Sequence, residues 1–362
     1  MLIDSSEDVK KKDFFEITGI TLLEGRYRLQ QEVTGGKSST SFFGKDEATG
    51  LEVFVKLCIF PRSGLERARF KNEIAFLKRN NFYNMIIKKT PIYLSDGELF
   101  DGRIIYLVTE RVHGTLLSDW FNQRDRVRSL KERLLIAYRV FGATEHFDMQ
   151  TIHRDLHVGN IILLDAEVDL YSDIPDFKTI VLDWGQSYSR AFYEYSESDD
   201  DDMVIIHQGI GKEVTNSFYN LPPETFIDWE KSGSEYAKYD SWAMGLLLYK
   251  LVTGKDLFTF KNIGEYASSI KRIDSVVSMA CAEVFREAAE AGLILCAILR
   301  RLMCTRPSER MRIMDARFAL WFILVEDFMP TDPQEISNFL ESPAYFEGRV
   351  WKHFKVEQDN EG

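Results

Sequence analysis

Asp155 and Asn160 stand five residues apart in HRDLHVGN (153–160), at the head of the apolar run IILL (161–164). A second apolar run, TIVL (179–182), delivers Asp183 in DWG. Phosphoryl transfer needs such a set: one carboxylate to orient an acceptor hydroxyl, and hard oxygen donors for a Mg²⁺ ion on the phosphates. It also needs cations. Lys56 ends the inward row of VFVK in an otherwise apolar run, and Glu73 lies on the buried side of the segment that follows. That spacing fits an ion pair aiming an amine at phosphates. Singly, each residue is ordinary; the ordered combination is specific.

The elements that must hold these residues follow from periodicity. LEVFVKLCIF (51–60) alternates like a strand, and RIIYLVTE (103–110) reads as a short apolar one. LERARFKNEIAFLKRN (65–80) puts Phe70, Ile74 and Leu77 on one face of a helix. Helical patterns recur at 130–148, 239–253, 285–303 and 313–328, with Gly254 where a C-terminal cap belongs. The expectation is an α+β, two-lobed chain: an extension over 1–24, a small β-rich lobe over 25–110, a larger helical lobe over 111–330 and a tail over 331–362. The acidic block YEYSESDDDDM (193–203) reads as a solvated loop, because like charges repel.

Composition narrows the options. A net charge of −12 over 362 residues argues against nucleic-acid binding and is compatible with a basic partner. Cys58, Cys281, Cys296 and Cys304 form no C-x-x-C pair and read as core thiols of a reducing compartment. No apolar run approaches the ~20 residues of a membrane span, and no secretory signal is visible at the start. A cytoplasmic setting is expected, including a host cytosol if the chain is a secreted effector.

Across residues 25–328 the sequence resembles the protein kinase superfamily. The resemblance implies ATP and Mg²⁺ as cofactors. Lys56 and Glu73 correspond to the phosphate-anchoring lysine and its helical partner. Asp155 matches the catalytic-loop aspartate, and Asn160 and Asp183 match the metal ligands, with Trp184 in place of the usual Phe. Thr109 falls at the gatekeeper, Glu110 to Val112 at the adenine-binding hinge, and Ile162 on the floor under the base. DLHVGN and LDWG are similar to aminoglycoside-type phosphotransferases as well. LPPE (221–224), DSWAMG (240–245) and RPSERM (306–311) favour a protein acceptor, since they resemble the end of an activation segment, a central helix and its arginine. In that reading Glu224 pairs with Arg310, Asp240 holds the catalytic loop, and Arg154 precedes Asp155 where small-molecule kinases keep Gly.

Two departures stand against the family pattern. The phosphate loop TGGKSSTS places Thr34, Gly36 and Ser39 at the three glycine positions, and Ser41 replaces the usual Val. Phe54 replaces the Ala above adenine and, two residues from Lys56 in a strand, shares its face. His157 takes the place of the serine/threonine-kinase Lys and is assigned to assist at the acceptor or leaving oxygen. Ser217 occupies the position of the threonine beside the catalytic aspartate, which favours Ser/Thr acceptors. A non-catalytic pseudokinase scaffold and a small-molecule kinase remain the alternative readings.

Overall fold

The computed structural model describes residues 14–33, 39–61, 63–123, 128–145, 151–164, 178–189, 220–226, 238–260, 262–270 and 272–341. These fall into two compact units that divide between His113 and Gly114.

The first unit is a six-stranded antiparallel sheet with two helices. In chain order it holds α1 (Phe14–Thr18), β1 (Leu22–Leu23), β2 (Tyr27–Val33), β3 (Thr40–Asp46), β4 (Glu52–Ile59), α2 (Gly64–Ile87), β5 (Tyr93–Leu99) and β6 (Ile104–Glu110). The strand order is β1-β2-β3-β4-β6-β5. The alternation in β4 does what the period of two requires. Val53, Val55 and Leu57 are fully buried against Phe14, Phe42 and Val108, while Phe54 and Lys56 take the other face. Gly44 is obligatory: a Cβ there would stand 2.3 Å from the Arg28 carbonyl oxygen, beside the irregular register at Leu29/Gln31. Asp46 closes the β3–β4 turn, accepting both Arg26 Nε (2.9 Å) and Nη2 (2.7 Å), the Ala48 amide and the Thr49 hydroxyl. The Arg26 bonds hold its carboxyl well below the usual carboxylate range.

Ser63 caps α2 by accepting the Glu66 amide at 3.2 Å. The helix continues past the expected Asn80 to Ile87. It stops where Asn84 turns its side chain onto the backbone of Lys89 and Thr90, and Lys88 adopts a left-handed conformation. The added turns expose Phe82, Tyr83, Met85 and Ile86, so the apolar period fails there and sequence periodicity ends the helix early.

The second unit contains β7 (Thr115–Leu116), α3 (Leu117–Asn122), α4 (Leu130–Glu145), β8 (Thr151–Ile152), β9 (Ile161–Leu163), β10 (Thr179–Val181), β11 (Tyr188–Ser189), α5 (Tyr239–Thr253), α6 (Ile263–Ile270), α7 (Ile273–Ala288), α8 (Gly292–Leu302), α9 (Ile313–Val325) and α10 (Pro333–Glu341). Its strands form two small sheets, β10-β9-β7 and β11-β8. Helix α5 is buried almost all round, as its apolar residues on every face require, and Gly254 ends it at φ 74°. The helix expected over 285–303 is instead two helices. The chain breaks at Ala289 (φ 48°) and restarts at Gly292, and the two helices share one apolar pattern, which hid the reversal. The segment expected as a tail opens with α10. Its Phe339 is buried against Phe322 and Phe328, and Arg301 donates to the Leu340 carbonyl at 2.8 Å. Among the described residues no helix is long and apolar enough to cross a membrane.

Candidate active site

In the second unit the hairpin β9–β10 does the positioning. Its register pairs Ile161 with Val181, and the Leu182 amide donates to the Asn160 carbonyl at 2.8 Å. Asn160 and Asp183 therefore leave adjacent strand ends. Asp183 is exposed and left-handed (φ 59°). Trp184 anchors that turn: it is buried, its indole N–H donates to the Val181 carbonyl at 3.1 Å, and its ring meets His153 at 4.5 Å.

The loop before β9 is pinned from two sides. Asp240, at the start of α5, accepts the amides of His153 (2.6 Å) and Arg154 (2.9 Å), one on each carboxylate oxygen. Arg154 takes a left-handed φ of 68°, which costs an L-residue of this kind about 1–3 kcal/mol and persists only where neighbours enforce it. Its guanidinium lies 4.9 Å from the Tyr188 ring. Burial pushes the Asp240 carboxyl up to about 6, and the two backbone donors act against that rise. His153 is buried too. Its Nε2–H donates to the Leu182 carbonyl at 2.9 Å and its Nδ1 accepts the Asp155 amide at 3.2 Å. Both nitrogens are thus satisfied by the neutral ring, and burial lowers its pKa to about 4.

Asp155 sits in the middle of this frame, and Gln186 Nε2 donates to its Oδ2 at 2.9 Å. His157 Nδ1 accepts the Gly159 amide at 3.0 Å, which leaves the ring proton on Nε2, 3.9 Å from Asp155 Oδ1. Asn160 Nδ2 donates to the Asp155 carbonyl at 2.9 Å, so its Oδ1 is the atom left for a ligand; it accepts from no group among the described residues. No cluster of three or more His, Cys, Asp or Glu that could hold a metal occurs among the described residues. The donor set here is the Asn160 amide oxygen and the Asp183 carboxylate. Two hard oxygens suit Mg²⁺ that takes its remaining ligands from phosphate and water, so the residues fit that ion. Gln186 and His153 were not singled out from sequence. Their signals were the residue three places after Asp183 and the residue two before Asp155.

The activation-segment features sit partly in view. Arg310 is fully buried and grips Glu224 with two bonds, of 2.6 and 2.8 Å. It also donates to the Cys304 and Lys238 carbonyls at 3.0 and 3.1 Å. Thr225 and Tyr239 share a 3.0 Å hydrogen bond, and Tyr266 bonds to the Leu221 carbonyl. Ser187 is buried. The acidic block and Ser217 lie outside the described residues.

The first unit carries the remaining set. Lys56 Nζ meets Glu73 Oε2 at 2.6 Å, with both side chains largely covered. Across the sheet Lys56 pairs with Ser41 and Leu107, and Phe54 with Phe43 and Thr109. The half-buried Phe54 ring meets Phe43 edge-on at 6.0 Å, and Arg111 stacks on Phe43 at 3.9 Å. Thr109 is buried at the end of β6. The Glu110 amide donates to Ile92, whereas the Val112 amide donates to no group among the described residues. Ser39 is buried beside β3, while Thr34 and Gly36 lie outside the described residues. Ile162, in the second unit, is half-buried in β9 opposite Ile180 and Leu116.

The chain is 28% identical over 231 residues to a probable serine/threonine-protein kinase, MARK-B, of Dictyostelium discoideum, covering 64% of this chain and 28% of the relative. It is 26% identical over 251 residues to serine/threonine-protein kinase PrkC of Bacillus subtilis, covering 68% and 33%. With CBL-interacting protein kinase 25 of Oryza sativa subsp. japonica it shares 25% identity over 306 residues, covering 82% and 51%. The chain thus spans about half or less of the length of these relatives. The protein kinase domain model matches residues 27–322, and on that match the chain belongs to the protein kinase domain family.

Proposed function

We propose that the protein transfers the γ-phosphate of ATP to a protein hydroxyl, with Ser or Thr favoured over Tyr. The observation that carries this reading is the frame around Asp155. Gln186, the His153 ring, Asn160 and the Asp240-pinned backbone all act on one loop, and a loop without chemistry has no need of that many constraints. In this reading Asp155 orients the acceptor hydroxyl and takes its proton at a carboxylate oxygen as the bond to phosphorus forms. His157 turns its Nε2–H toward the same carboxylate and assists at the acceptor or leaving oxygen. Asn160 and Asp183 would hold Mg²⁺, whose positive charge offsets that of the phosphates. Lys56, kept extended by Glu73, binds phosphate oxygens, with Thr34, Gly36 and Ser39 as the phosphate loop. Base recognition falls to the Glu110 carbonyl and Val112 amide, with Phe54, Thr109 and Ile162 as the further candidate contacts of the base.

The Ser/Thr preference is supported by the names of the relatives and by Ser217. A basic protein substrate suits the acidic block and the net charge of −12, and a cytoplasmic setting suits the unpaired thiols. One observation supports a second reading, a nucleotide-free scaffold. The Phe54 ring occupies the Lys56 face of β4, where a smaller residue would leave room for adenine.

The deciding experiment incubates the protein with Mg²⁺, γ-labelled ATP and a basic protein acceptor, with Asp183→Asn as the control. Label on protein that the variant abolishes supports the proposal. Absence of label together with no thermal shift by ATP, where Phe54→Ala restores the shift, favours the scaffold. Label confined to a small molecule overturns the protein acceptor.

A further inference from the structure

Two thiols face each other across the hairpin of α7 and α8, apart from every group used above. Cys281 is 5% exposed on α7 and Cys296 is half-buried on α8. The Cys296 thiol donates to the Cys281 carbonyl at 3.0 Å, and Cys281 Sγ lies 3.6 Å from the Cys296 carbonyl. The contact is reciprocal, so each sulfur lies over the other residue's backbone. The helices can approach this closely because α8 begins with glycine; a Cβ on Gly292 would stand 2.9 Å from the Phe285 Cα. A cation completes the cluster. Arg300 Nε donates to Cys281 Sγ at 3.4 Å, and Arg300 pairs with no carboxylate among the described residues. Two sulfurs without a third donor do not make a metal site, and none is found among the described residues.

We propose that Cys281 and Cys296 form a peroxide-reactive dithiol in which Cys281 is the attacking sulfur and Cys296 the resolving one. The neighbouring Cys296 thiol and the Arg300 guanidinium hold the Cys281 thiol below its ordinary value, while the same contact and then burial push Cys296 up. Arg300 donates to Cys281 Sγ, so a thiolate is better stabilised on Cys281 than on Cys296. In the first step the Cys281 thiolate attacks one oxygen of a hydroperoxide. The O–O bond breaks, an S–O bond forms, and the departing oxygen leaves as water or alcohol with the proton the thiol had lost. In the second, the Cys296 sulfur attacks the sulfenic sulfur. The S–O bond breaks, the S–S bond forms, and the thiol proton leaves with hydroxide as water. Two thiols give up two electrons and the peroxide gains them. The product ties α7 to α8. The other two cysteines lack this setting. Burial pushes the Cys58 thiol up to about 12, and the Cys304 thiol points at the Glu309 carboxylate at 3.8 Å.

The test uses the full chain, reduced, freed of reductant and treated with a small excess of hydrogen peroxide before alkylation and mass mapping. The expected result is a Cys281–Cys296 link reversed by dithiothreitol, with Cys58 and Cys304 still alkylated. Cys296→Ser should accumulate a sulfenic acid at Cys281 that dimedone traps, and Cys281→Ser should form neither product. Arg300→Met should slow the reaction at pH 7 by about two- to threefold, because the thiolate fraction falls faster than nucleophilicity rises. Four alkylated cysteines in the treated wild type, or oxidation confined to Cys58 or Cys304, overturns the proposal. The wild-type measurement decides even if a variant does not fold.

Discussion

Replacing Arg310 should destabilise the protein more than almost any other charge removal, and the structure sets the size. Arg310 has no solvent exposure and makes four hydrogen bonds: two to Glu224, one to the Cys304 carbonyl and one to the Lys238 carbonyl. Its guanidinium also lies 5.6 Å from the Trp242 ring. Arg310→Met keeps much of the volume but strands a Glu224 carboxylate that is only 12% exposed. Breaking one side of such a pair costs about 3–5 kcal/mol. That is a large share of a total of roughly 5–15 kcal/mol, and corresponds to a melting point lower by roughly 6–20 °C. The contrast is the double variant Arg310→Met with Glu224→Met. With no stranded charge it should lose less than the sum of the single variants, with a coupling of about 1–3 kcal/mol. Urea unfolding of the four proteins, followed by tryptophan fluorescence, measures the cycle. A loss below about 1 kcal/mol for Arg310→Met, or strictly additive losses, would refute the reasoning, since either means water reaches Glu224.

Three further outcomes follow from particular contacts. His153 has a folded pKa near 4 against the ordinary 6.5, so the unfolded chain takes up a proton that the fold rejects, and wild-type stability falls as pH drops through that window. His153→Gln removes this term, so its stability relative to wild type should rise by about 3 kcal/mol between pH 6.5 and 4; parallel pH curves would contradict the buried neutral ring. Gly44→Ala should cost about 1–3 kcal/mol in thermal or chemical unfolding, because its methyl meets the Arg28 carbonyl at 2.3 Å and neither backbone can yield cheaply. Gln186→Leu should lower the phosphorylation rate about tenfold or more while leaving the KM for ATP near its original value, because Gln186 touches Asp155 Oδ2; an unchanged rate would remove Gln186 from the frame.

Much of the site was legible because it is written in short, contiguous runs. HRDLHVGN and DWG each carry their own strand end and turn, so the adjacency of Asn160 and Asp183 needs only the pairing of two short apolar strands. The Lys56–Glu73 ion pair was legible for the same reason, being one strand, one helix and two periods. Gln186 was missed because its role depends on a turn that brings it back onto Asp155, and no period encodes that return. The reversal at Ala289–Gly292 was missed because an apolar stripe looks alike in one long helix and in two antiparallel ones. The extension of α2 to Ile87 was missed because its last turns bury little.

By itself, then, the sequence determined the types and order of the candidate groups and the β-then-α succession, and its family resemblance implied the pairing of distant Glu224 with Arg310. Only the tertiary structure decided which nitrogen of His153 and His157 carries the proton, which oxygen Asn160 leaves open and which cysteines meet. The physical reason is directional: local propensity and burial depend on a residue's own neighbours in the chain, whereas hydrogen-bond geometry depends on where α5, β10 and α8 come to rest.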